Sequence, residues 1–128
     1  TFIRPGADPN HYVGIMKVNM ETGRQQILHS QRFPSNGAVL ATAGDLIFWG
    51  DMNRRFRAFD AKEGKILWET ILGGIIQNCT ITYAVDGRQY ITVMTGDGAA
   101  HTSGKLALVP ELRTARAHHA IYVFALPE

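Results

Sequence analysis

The chain holds 128 residues, of which 45% are hydrophobic and 19% charged, enough for one domain with a core of its own and ordinary for a globular protein. Thirteen Lys and Arg against eleven Asp and Glu leave a net charge of +2, too small an excess to draw the chain to nucleic acid or an anionic membrane. A single cysteine, Cys79, excludes an intrachain disulfide, a Cys-x-x-Cys pair and c-type haem attachment, and no apolar run approaches the roughly 20 residues of a membrane-spanning helix. The chain opens with Thr1 rather than Met, so a processed protein or a piece cut from a longer one is expected.

Strand and turn signals follow one another along the sequence. Tyr12–Val18 reads as a strand, Asn19–Gly23 as a turn closed by a glycine suited to positive φ, and Gln25–Ser30 as the return strand. A loop at Pro34–Gly37 leads into Ala38–Thr42 and, after a turn at Ala43–Asp45, into Leu46–Gly50. Further turns at Asp51–Asn53 and Ala61–Gly64 separate Arg55–Asp60 from Lys65–Thr70. Past Gly73-Gly74, Cys79–Val85 and Gln89–Met94 flank Asp86-Gly87, a strong two-residue hairpin signal. Thr95–His119 reads as a loop with a helical turn near Pro110-Glu111-Leu112, and Ala120–Leu126 as a final apolar strand.

Turns at this spacing predict an all-β, antiparallel fold: sandwich, barrel or propeller. Self-similarity decides among the three. Lys17–Gly23 aligns with Ala58–Gly64, each a strand end, an acid or amide, a turn and a glycine. With four strands to a unit, the chain carries the last two strands of one blade, a whole blade over about Ala38–Thr70 and most of another over about Ile75–Leu126. We therefore expect an incomplete propeller of about two to two and a half blades across residues 1–128.

Ala58-Phe-Asp-Ala-Lys-Glu-Gly-Lys-Ile-Leu-Trp68 resembles the tryptophan-docking motif A-x-D-x-x-T-G-x-x-x-W of quinoprotein dehydrogenase propellers, with Glu63 in place of the usual Thr. In this motif Asp60 would accept hydrogen bonds from the turn amides, Gly64 would take the left-handed position, and Trp68 would lie buried against the next blade. Val39–Phe48, Tyr83–Val93 and Ala120–Leu126 resemble the closing part of the same family, in the same order. The resemblance implies eight-bladed, periplasmic alcohol dehydrogenases that hold pyrroloquinoline quinone with calcium or a lanthanide.

That resemblance places Asn36, in Ser35-Asn36-Gly37, and Ala99 and Ala100, after Gly96-Asp97-Gly98, at positions that approach the quinone. Aromatic residues usual nearby are replaced by Ser35 and by the two alanines. Turn chemistry alone would instead have Asn36 bonding its own backbone. No stretch matches the family's vicinal cysteines, catalytic Asp or metal ligands, so no catalytic residue, metal ligand or bound cofactor is expected in this chain alone. Residues outside the motif have simpler readings. Trp49 and Trp68 read as packing, Arg54, Arg55 and Arg57 as a solvated turn and strand edge, and Cys79 as a buried thiol. His118 and His119 are adjacent, so they would point to opposite sides rather than share a metal. Two functions follow as expectations. One is the C-terminal segment of an alcohol dehydrogenase-like propeller, structural and flooring the cofactor. The alternative is a non-catalytic scaffold completed by self-association. The expected partners are the rest of the propeller, or another copy through open strand edges.

Overall fold

The computed structural model describes residues 5–125, without the side chains of residues 99 and 100. Nine strands form three antiparallel sheets in chain order. The first pairs β1 (Val13–Val18) with β2 (Gln25–Gln31). The second runs β3 (Leu40–Ala41), β4 (Leu46–Gly50), β5 (Arg55–Asp60) and β6 (Ile66–Ile71). The third runs β7 (Thr80–Val85), β8 (Arg88–Thr95) and β9 (Ala120–Ala125). Two, four and three strands are the expected series of part-blade, blade and part-blade, and every pairing among the described residues is antiparallel. The last expected residue of β9, Leu126, lies outside the described residues.

The turns form where local chemistry demands them. Asp60 Oδ2 accepts from the amides of Lys62 (3.1 Å) and Glu63 (2.6 Å), and the Gly64 amide donates to the Asp60 carbonyl at 2.9 Å. Asn19 repeats this turn, accepting from the amides of Glu21 and Thr22, while Gly23 closes it. Gly23 and Gly64 both sit at positive φ, 69° and 75°. At Asp86-Gly87 both residues have positive φ, which makes the two-residue hairpin predicted there.

Alternation along β4 and β5 then builds the core. Ile47, Trp49 and Phe59 face the first sheet and pack with Ile15 and Leu28. Phe48, Phe56 and Ala58 face the third sheet and pack with Ile91 and Val93. The central sheet is apolar on both sides because it is covered on both sides.

Three expectations are corrected. Arg57 is not solvated: it is buried between the first two sheets, where its Nη1 donates to Asp51 Oδ2 (2.8 Å) and Gln31 Oε1 (2.9 Å) and its Nε to Glu69 (2.6 Å). The loop after β8 holds a true helix, α1 (Ala99–Leu106), upstream of the helical turn expected near Pro110. Trp68 remains 40% exposed, edge-on to Phe56 and Phe124, because β9 is the edge strand of the third sheet and nothing among the described residues covers the outer side of the ring.

Phe56 is fully buried, so Phe56→Ala is expected to cost about 3–5 kcal/mol. Trp68→Ala, which loses only part of a ring's burial, should cost about 1–2 kcal/mol. Chemical denaturation of the two variants gives this order or refutes it. Gly64 and Gly23 make a second pair. A Cβ at Gly64 would meet the Leu28 carbonyl of the neighbouring sheet, whereas one at Gly23 meets nothing within 4 Å. Both carry the same backbone penalty for alanine, so Gly64→Ala should lower the unfolding midpoint well beyond Gly23→Ala, the excess being the clash between sheets.

Candidate functional site

Three loops meet beside the second and third sheets. The loop entering β3 carries Ser35, Asn36 and Gly37, the segment before β7 carries Gln77 and Asn78, and the loop leaving β8 carries Gly96, Asp97 and Gly98. Ser35 Oγ donates to the Gly50 carbonyl and accepts from the Gly37 amide at 3.1 Å. Ser35, not Asn36, therefore bonds the backbone of this turn, and Asn36 is left exposed. The Ala38 amide reaches the Asn78 carbonyl at 3.4 Å, fixing the first loop to the second.

Gln77 fixes the second loop to the third. Its Nε2 donates to the Gly96 carbonyl (3.1 Å) and to Thr102 Oγ1 on α1 (3.2 Å). Lys105, one turn further along α1, donates to the Ser35 carbonyl at 3.4 Å, and partial burial pulls its pKa down. The helix thus spans the site. Ala99 and Ala100 begin it beside Gly98, and its last turn lies against the residue preceding Asn36. Asn36 and the two alanines therefore stand toward opposite ends of the helix.

Between the second and third loops lies a polar cavity of about 260 Å³, lined by Gln77, Asn78, Gly96, Asp97, Gly98 and His119. Among the described residues that line it Asp97 is the only acid, and it is committed. It accepts from Arg116 Nε and from the Ala117 amide, and these bonds, the Arg116 guanidinium first, hold its carboxyl below the usual carboxylate range. His119 lies against Gly96, while His118 lies against Gly73 and Gly74 and contacts the Tyr122 hydroxyl at 3.1 Å. The two histidines do point apart.

Among the described residues no three of His, Cys, Asp or Glu converge on a point that could hold a metal ion. Asp51 is likewise spent, on Arg57 and Gln31. Cys79 is exposed rather than buried, because it precedes β7 in the segment that lines the site rather than pointing into the core. Sequence reasoning did not single out Gln77 or Asp97, and it weighed His119 only as half of a metal pair with His118. An acid between two glycines was the one signal available for Asp97, and Gln77 carried none.

Sheets stacked face to face, with Asp/Asn–Gly turns repeated between them, define a β-propeller. Residues 10–91 match the family described as glucose/ethanol/alcohol dehydrogenase, beta-propeller domain, of the PQQ class. The chain belongs to this family. Over 93 residues it is 39% identical to 1-butanol dehydrogenase (cytochrome c) of Thauera butanivorans, a match covering 73% of this chain and 13% of that protein. It is 38% identical over 91 residues to the quinoprotein ethanol dehydrogenase of Pseudomonas aeruginosa, covering 71% and 15%. The structure of a europium-containing methanol dehydrogenase superposes with a TM-score of 0.76 at 28% identity, covering 94% of this chain and 24% of that one. The chain therefore spans a small part of the length of these relatives.

The Asp97–Arg116 pair sets a pH dependence. A carboxylate whose pKa is lowered by folding stabilises the fold fully above its unfolded value of about 3.9, and that contribution disappears as pH falls through the lower folded value. Asp97→Asn should therefore be less stable than the parent at pH 7, with the gap closing on the acid side. Thermal midpoints of both proteins from pH 7 downward measure this; a gap that stays constant with pH contradicts it.

Proposed function

We propose that this chain is the C-terminal, cofactor-flanking segment of a periplasmic PQQ-dependent alcohol dehydrogenase-like propeller, structural in role and without catalytic residues of its own. One observation supports the reading: the Ser35–Gly37 and Gly96–Gly98 loops are tied together through Asn78, Gln77 and α1, yet the charges beside them are already engaged by protein partners. Asn36 stands exposed at the rim, and the Gly96–Gly98 loop leaves open space where a side chain would stand at Gly98. Asn36, with the backbone at Ala99 and Ala100, would border the edge of a flat polar group. The set does not suit the metal, because Asp97 and Asp51 are occupied by arginines and no further ligands converge among the described residues. It does not suit anchoring of an anionic quinone either, since Arg116 and Lys105 are turned to protein acceptors.

When bound, pyrroloquinoline quinone takes up the electrons lost by the alcohol. This chain would contribute a wall that excludes water and one amide at the rim, and the base and metal ligands would come from other blades. Those blades, or another copy of this chain, would pair with it through the open edges of β1 and β9. Isothermal titration of the chain with pyrroloquinoline quinone, with and without calcium, is expected to give no saturable stoichiometric complex. A one-to-one complex, or alcohol oxidation with an artificial electron acceptor, contradicts the proposal.

A further inference from the structure

Asn36-Gly37 is the only Asn-Gly pair in the chain, and such a pair has a chemistry of its own. Glycine has no Cβ to shield its backbone nitrogen, so an asparagine just ahead of it is open to attack on its own side chain. The Gly37 nitrogen, on losing its proton, adds to Asn36 Cγ. The Cγ–Nδ2 bond breaks, the side-chain amide leaves as ammonia with that proton, and a succinimide ring remains. Water then opens the ring at one carbonyl or the other, leaving aspartate or isoaspartate. Only water is consumed.

The fold sets how readily this happens. Asn36 is exposed, so water and base reach its carboxamide. Ser35 takes the hydrogen bonds of the turn: its Oγ accepts from the Gly37 amide at 3.1 Å and donates to the Gly50 carbonyl. The N–H that must ionise is thus held by a hydroxyl that is itself held. A bonded N–H gives up its proton less readily, and turning that nitrogen onto Cγ breaks the bond. A Cβ at Gly37 would stand 3.3 Å from the Gly50 carbonyl oxygen. The packing that calls for glycine here therefore also leaves its nitrogen bare.

We propose that Asn36 is a site of spontaneous deamidation and that the Ser35 hydroxyl is the brake on it. The product carries a carboxylate where the neutral amide stands or, as isoaspartate, an extra methylene in the backbone of the loop. The reaction itself does not depend on the cofactor-flanking role proposed above. Only its consequence rests on that role, an added negative charge at the rim of a site for an anionic quinone.

The full chain and Ser35→Ala, aged in parallel at mildly alkaline pH without quinone, test this by peptide mapping. Conversion of amide to acid at Asn36 is read by mass, and isoaspartate as a second chromatographic peak of that mass. The folded parent is expected to deamidate at Asn36 many-fold more slowly than the same chain in urea. Ser35→Ala should lose most of that protection while keeping cooperative unfolding, and Ser35→Thr, which retains a hydroxyl, should preserve it. A parent that deamidates as fast folded as in urea overturns the proposal, since nothing then holds the nitrogen. A folded Ser35→Ala that deamidates no faster than the parent also overturns it and assigns the protection to the rest of the fold. Absence of conversion in urea removes the site altogether. Should Ser35→Ala lose cooperative unfolding, Ser35→Cys fills the same space with a thiol that accepts poorly, and the same comparison with the parent decides. With no quinone in the mixture, failure here leaves the cofactor-flanking reading standing, and titration with the quinone decides that reading separately.

Discussion

The β4–β5 hairpin has no polar face, and the rest of the structure answers to that. In Leu46–Gly50 apolar residues stand on both sides of the strand, and in Arg55–Asp60 both sides are buried even though Arg55, Arg57 and Asp60 are polar. Ile47, Trp49 and Phe59 point one way and Phe48, Phe56 and Ala58 the other. A strand of that kind is stable only between two layers, since exposing either side would return several large side chains to water at about 25 cal/mol per Å². A sheet before it and a sheet after it are thus required. The close approach at Gly64 and the reach of Lys17 to the carbonyls of Ala61 and Lys62 follow from how tightly the first sheet must press on the second.

Within this apolar contact sits one charged group. Arg57 takes the place of an apolar residue on the face toward the first sheet and brings Asp51, Glu69 and Gln31 with it. A buried ion pair contributes little net stability once desolvation is counted, but it tolerates only one geometry. Here it spans two sheets: Gln31 belongs to β2, while Asp51 follows β4 and also caps the turn into β5 through the Arg55 amide. Apolar surfaces can slide past one another, whereas this cluster is satisfied in one register. The contact between the first two sheets therefore has its energy from Ile15, Leu28, Trp49 and Phe59, and its alignment from Arg57.

What could be read in advance divides along the same line. Asp60, Gly64, Asn19 and Asp86-Gly87 were legible because a turn is decided by the few residues that make it. The three-sheet series was legible because those turns recur at blade spacing. Arg57, Trp68 and Cys79 were misread because burial belongs to the neighbours and not to the residue. An arginine among aromatic residues on a strand looks solvated until Asp51 and Gln31 are brought to it from other elements. Trp68 looks buried until the strand it meets in the next sheet, β9, proves to be an edge strand. The helix Ala99–Leu106 carries a glycine and a threonine and has little intrinsic preference to form. It is held by Thr102 against Gln77 and by Lys105 against Ser35, contacts no sequence pattern announces.

The candidate site follows from these same contacts. Its loops are positioned by amides and a helix, not by charge, and the charges nearby serve to hold the loops. Asp97 closes the segment that returns to β9 through Arg116 and Ala117, so it cannot also bind a cation. Lys105 is spent on a carbonyl in partly buried surroundings that already disfavour its charge. A wall built in this way is rigid and unreactive, suited to shaping one side of a pocket whose chemistry is supplied from the other. The apolar faces at either end of the stack, with Ile27 exposed on the first sheet and Val123 on the third, are consistent with that division of labour. A segment whose site is only a wall needs neighbours on both sides, and its two uncovered faces are of the two kinds that successive blades present to each other.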